Sequence, residues 1–156
     1  DMLDGNKPFT AACKPYREGR SLSANAYCWV LCEKIAVETS TANVPVSKED
    51  VYREAIRRVG SFQIVRIPAP AVETTCEHWQ RNGVGWIAES LGHRTGDDYD
   101  DVCLYYGSST YDRAEMARLL DDLIEDAEAL GIETRTPEEV DRLLSLWEED
   151  VSSVGK

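Results

Sequence analysis

Four groupings of residues have the types and spacing that chemistry requires. Lys7, Lys14, Arg17 and Arg20 crowd the chain before an apolar stretch, and Arg20, Ser21 and Asn25 stand where that stretch would start as a helix. Open backbone N–H groups and the helix dipole favour an anion at such a start, so this grouping suits a phosphate. The second grouping, Tyr105-Tyr106-Gly107-Ser108-Ser109-Thr110-Tyr111, leaves one element and enters another. Its hydroxyls and N–H groups suit phosphate or sugar, and its tyrosines, Tyr106 and Tyr111 in particular, suit stacking on bases. The plainer reading is that Ser and Thr cap, Gly107 turns, and Tyr105 or Tyr106 faces the core.

The other two groupings concern metals. Cys28 and Cys32 are four apart on a helix, so both thiols share one side, and Cys76 and His78 could add two ligands. The spacing matches no standard zinc pattern, and buried thiols on an apolar helix explain the pair without metal. Asp97-Asp98-Tyr99-Asp100-Asp101 offers hard oxygen ligands for Mg²⁺, the chemistry of a metal-dependent nuclease. However, a working two-metal site draws carboxylates from separate rigid elements, and only Arg94 lies near to hold a phosphate. We read this cluster as a solvated loop. With only His78 and His93, and neither in a nucleophile signature, no catalytic residue, metal or cofactor is assigned.

Charge narrows the function classes. The 156-residue chain carries −12, distributed as +2 over residues 1–66, −5 over 67–111 and −9 over 112–156. Such a balance argues against broad, non-specific nucleic-acid binding but leaves room for a local basic groove. The C-terminal acid excess reads as a solvated helix face. Five cysteines in apolar contexts suit free thiols in a reducing cytoplasm. No apolar run reaches the roughly 18 residues of a membrane span, and no basic segment followed by an apolar run marks a secretory signal. The first residue, Asp1, is what a trimmed chain would show.

The elements that must position these groups follow from periodicity. Phe9 to Tyr16 predicts an edge strand. Ser21 or Ser23 caps a helix to about Val37 that is apolar around most of its circumference and so is expected to be central, or sandwiched in a dimer. Ser47 with Asp50 starts a second helix to Gly60, striped by Val51, Ala55, Ile56 and Val59, with Arg53, Arg57 and Arg58 on the rest. Ser61 to Ile67 is a strand, and Pro68 and Pro70 lead into a helix through Trp79. Gly83 and Gly85 bracket a turn, Val84 to Ala88 is a strand, His93 to Asp101 a polar loop, and Val102 to Tyr106 a strand in a hairpin with the one before. Asp112 with Glu115 caps a helix ending at Gly131, and Thr136-Pro137 opens the last one. The prediction is a single small α+β domain over residues 1–150, with a buried central helix, a short antiparallel sheet and two C-terminal helices. Residues 151–156 are expected to form a flexible tail.

The first two groupings also carry a family likeness. Arg20-Ser21-Leu22, Asn25 and Trp29, then Gly107, Ser109 and Thr110 ahead of Met116, Leu119 and Leu120, and finally Gly131-Ile132 before a helix ending near Trp147, resemble the phage NinB (lambda Orf) family of recombination proteins. Relatives in prophages of Gram-positive bacteria share the arrangement. The likeness runs from about Lys14 to Glu149 and is thinnest from Val44 to Val102. It implies an α+β homodimer in the bacterial cytoplasm that binds single-stranded DNA. Such a protein helps load a strand-annealing or strand-exchange protein onto DNA coated by single-strand-binding protein, without catalysis. Arg20, Ser21, Asn25, Ser109 and Thr110 match the motifs, and Lys14, Arg17, Tyr106, Ser108 and Tyr111 complete the expected DNA contacts. A homodimer would carry −24, which suits DNA binding poorly unless basic residues focus into a groove. The alternatives are an acidic phage protein that inhibits a host enzyme by mimicking DNA, and the Mg²⁺-dependent nuclease.

Overall fold

The structure, a computed structural model, describes residues 23–93, 96 and 98–154. The chain forms α1 (Ala24–Thr39), α2 (Lys48–Val59), β1 (Phe62–Pro68), a 3-10 turn (Ala69–Ala71), α3 (Val72–Gln80), β2 (Ala88–His93), β3 (Tyr99–Tyr105), a second 3-10 turn (Ser108–Thr110), α4 (Arg113–Ala129) and α5 (Pro137–Val154). This is the expected α+β class. The predicted strand at Phe9–Tyr16 lies outside the described residues, as do Lys14, Arg17, Arg20, Ser21, Arg94 and Asp97.

The helix starts obey local chemistry. The Ser23 hydroxyl accepts the Ala26 N–H at 3.0 Å. Ser47 and Asp50 form a reciprocal capping box, as do Asp112 and Glu115. Thr136 accepts the Glu139 N–H at 3.2 Å while Glu139 accepts the Thr136 N–H at 2.9 Å. Each exchange satisfies N–H groups that a first helical turn cannot bond internally. At the other end, Gly131 stops α4 with φ +79°, a backbone state that side chains resist.

Two cores result. The larger joins α1, α2, α4 and α5, with Cys28, Cys32, Ala55, Ile56, Met116, Leu119, Leu120 and Leu123 all fully buried. Each large aliphatic side chain there contributes about 1.5–3 kcal/mol of burial. The smaller packs Ile67, Val102 and Leu104 of the sheet on Val72, Cys76 and Trp79 of α3. The sheet is antiparallel, in the order β1-β3-β2, with Phe62 opposite Tyr105 and Ala88 opposite Leu104.

Helix α1 is the expected central helix: it packs on α2, α4 and α5, and in the single chain Val30 and Val37 are 37% and 66% exposed. Two expectations need correction. The strand expected at Val84–Ala88 begins only at Ala88, because Gly83 and Gly85, at φ +142° and +90°, hold Val84 in a turn. The polar loop expected at His93–Asp101 is shorter at both ends: His93 ends β2 and Tyr99–Asp101 open β3, with His93 opposite Asp100 and Gly92 opposite Asp101, past an irregularity between Ser90 and Gly92. Helix α5 continues to Val154.

Candidate nucleic-acid interface

Trp29 of the first motif and Ser108 within the second meet through a residue that belongs to neither. Tyr52, buried on α2, stacks its ring on Trp29 of α1 with centroids 4.5 Å apart. Its hydroxyl lies 2.6 Å from the Ser108 Oγ and accepts the Ser108 N–H at 3.0 Å. Burial pushes the Tyr52 phenol's pKa up, and the Ser108 bonds oppose that only in part. Gly85 abuts the same ring so closely that a Cβ there would fall 2.5 Å from Tyr52 Cε2. Tyr52 thus fixes α1, the 83–87 turn and the 108–110 turn relative to one another.

A second aromatic group adjoins it. Trp79, Trp86 and Tyr106 pack mutually, with centroid separations of 5.1, 5.1 and 5.7 Å. The Trp79 indole donates to the Tyr105 carbonyl at 2.7 Å, which ties α3 to the end of β3. Gly107 is required here, since a Cβ would meet Trp86 Nε1 at 2.4 Å and Cδ1 at 2.7 Å. Edge-to-face aromatic packing of this kind is favourable beyond the area it buries.

Trp86 also walls a cleft of 570 Å³ that runs between α2 and the 83–87 turn, with Arg53, Arg57 and Gln80 on its other sides. Burial works against the charge of Arg57. Glu89 at 2.7 Å and Glu54 at 2.9 Å outweigh it and push the guanidinium's pKa up. Arg53 is held more loosely, 3.6 Å from Asp50. Two guanidinium groups one helical turn apart, in a cleft that an indole also lines, are of the type that pairs with phosphate oxygens and stacks on a base, in exchange for their carboxylate partners. The basic positions in this cleft are absent from the motif-based selection. Their signal in the sequence is the Arg53–Arg57 spacing on the polar face of α2, followed by the Gly83-x-Gly85 turn.

The predicted contact residues divide. Asn25 is exposed one turn ahead of Trp29, and Ser109 and Thr110 are exposed on their turn, with the Thr110 hydroxyl donating to Gly107 O at 2.9 Å. Tyr106 is half-buried in the Trp79–Trp86 group. Ser108 and Tyr111 are buried instead, at 2% and 1% exposure. The Ser108 hydroxyl is engaged by Tyr52. Tyr111 is a core ring whose hydroxyl donates to Tyr106 O at 3.0 Å and whose carbonyl accepts the Trp147 indole N–H at 3.0 Å. Stacking of Tyr111 on a base is therefore corrected to a packing role.

The metal groupings come apart in space. Cys28 and Cys32 are buried together, and the Cys32 contact, then burial, pushes the Cys28 thiol well up, away from the thiolate a metal needs. Cys76 sits apart, on α3 in the smaller core. Asp100 pairs with His93 Nδ1 at 2.6 Å, and Asp101 stands opposite Arg66 in the ladder. Among the described residues, no group of three or more His, Cys, Asp or Glu side chains is placed to hold a metal ion, and no helix is long and apolar enough to cross a membrane. No family model matches the chain, and no curated protein or solved structure matches it.

Proposed function

We propose that this protein binds single-stranded DNA and serves, without catalysis, as an accessory protein of phage or prophage recombination. It would act as a homodimer in the bacterial cytoplasm and help a recombinase reach DNA coated by single-strand-binding protein. The observation that carries the DNA-binding part is the cleft in which Arg53 and Arg57 face Trp86, beside the exposed Ser109–Thr110 turn. Guanidinium groups supply phosphate pairing and the indole supplies sequence-tolerant stacking, the two components of single-strand binding. The recombination part rests on the motif resemblance. The −9 of residues 112–156 lies elsewhere in the sequence, but Asp50, Glu54 and Glu89 pair with the two arginines of the cleft, so a phosphate binds there by displacing those carboxylates.

A labelled single strand of about 30 nucleotides, compared with its duplex by fluorescence anisotropy at several salt concentrations, tests the proposal. Binding that favours the single strand and weakens with salt, by about 0.7 in log–log slope per phosphate contact, supports it. A second reading, an acidic protein that inhibits a host enzyme, is favoured by the carboxylates of α4. It predicts no DNA affinity even at low salt.

A further inference from the structure

On the face formed by α4 and α5 lies a groove of 420 Å³ whose chemistry is the reverse of the cleft's. Its floor is apolar: Ala117 and Ile124 from α4, Val140 and Leu144 from α5. Its rim carries Asp121 and Glu128 on one side and Asp141 on the other. Positions 117, 121, 124 and 128 recur at spacings of four, three and four, so they form one stripe along α4. Positions 137, 140, 141 and 144, related by steps of three and four, share one face of α5. The stripe from Ala117 to Glu128 spans about 17 Å, roughly three helical turns. Arg135 lines one end, within 3.7 Å of Glu139. Arg113 spans from α4 to Asp141 and to Ser145 at the other.

An apolar floor between acidic rims selects a partner by chemistry. The floor takes aliphatic or aromatic anchors at i, i+3/i+4 and i+7, and the rim pairs with cations between them. Neither DNA nor an acidic peptide fits, because like charge at the rim repels both. We infer that the α4–α5 groove docks a basic amphipathic segment of a partner protein, Lys/Arg-rich with aliphatic anchors at helical spacing. This inference stands independently of DNA binding, since it uses other residues on other elements. It gives the surface acid excess a use that a merely solvated face would not have.

The probe is a fluorescein-labelled peptide of about 14 residues, roughly four helical turns, with Leu at helical spacing among Lys. Its control is the same peptide with every Lys replaced by Glu. Anisotropy with the full chain is expected to show binding of the Lys peptide and none of the Glu peptide. Reversing the rim with Asp121→Lys and Glu128→Lys together is expected to weaken the Lys peptide at least about tenfold. Filling the floor with Ala117→Trp is expected to weaken it without any change of charge. Reversing Glu73 and Glu77 to Lys on α3 alters net charge equally and is expected to leave binding near the wild-type value. Equal losses in both charge-reversed variants would overturn the inference, because the protein would then attract cations only as a whole. Absence of binding by the unaltered chain would also overturn it. So would a fall in molecular mass by light scattering for the rim variant alone, since a second copy of the chain would then be the occupant. Circular dichroism of each variant establishes that the fold is retained.

Discussion

The cleft beside Trp86 and the groove between α4 and α5 are built on opposite plans. The cleft is assembled from distant parts of the chain: α2, the 83–87 turn and the end of β3. Two glycines let indole and phenol rings lie against backbone, and the charged side chains facing the opening are arginines. The groove needs only two consecutive helices whose stripes align, and its charged rim is carboxylate. The first kind of site is sensitive to single atoms at its glycines. The second is a broad surface that tolerates single changes and responds to charge. Arginines thus line an opening on a protein with a net charge of −12, where Asp50, Glu54 and Glu89 pair with them.

The largest expected effect concerns the seam between the two regions. Burial holds the Tyr111 phenol up at about 12. An unfolded tyrosine titrates near about 10. The folded state thus retains the proton more tightly. The stability this represents, roughly 2–3 kcal/mol, is whole below about pH 10 and is lost as pH rises through about 12. Urea unfolding followed from pH 8 to 12 should show this decline, and Tyr111→Phe should flatten it. An unchanged alkaline slope in that variant would remove Tyr111 as its source.

Next in size is Gly107→Ala. The new Cβ would displace the Trp86 ring, at a cost of about 1–3 kcal/mol for overpacking. Because Trp86 walls the cleft and is remote from the α4–α5 groove, single-strand affinity should fall while binding of the Lys-Leu peptide persists. Equal loss of both activities would mean that the two regions are one cooperative site. The smallest effect separates local from global stability. Asp112→Ala removes the side chain that caps α4 and should cost about 1 kcal/mol, seen as a shift of the denaturation midpoint without a change in slope.

The parts of this fold that were legible in the sequence are those decided within a few residues. Ser47 with Asp50, Asp112 with Glu115, Thr136-Pro137 and Gly131 mark their helix ends through bonds spanning three or four positions. The apolar stripe of α4 predicts the side that packs. Helix α1 resists the same reasoning because Val30 and Val37 are as apolar as its buried residues, yet stand 37% and 66% exposed. Strand β2 has a polar sequence with a glycine in it, and its pairing with β3 overrides its weak local preference. The site was half legible. Gly107, Ser109 and Thr110 stand out as a turn, but Tyr52 and Trp86 acquire their importance from partners 56 and 21 positions away, Ser108 and Gly107. The burial of Ser108 and Tyr111 is decided at the same range, by Tyr52 and Trp147.

The central claim is that an arginine-lined cleft on an acidic protein holds single-stranded DNA. Its most direct test is the salt dependence of single-strand binding by the unaltered chain and by the Arg53→Ala, Arg57→Ala double variant. Two lost phosphate contacts should reduce the log–log slope by about 1.4 and weaken binding to every sequence alike. An unchanged slope and affinity in the double variant would contradict the claim and remove this cleft from DNA binding.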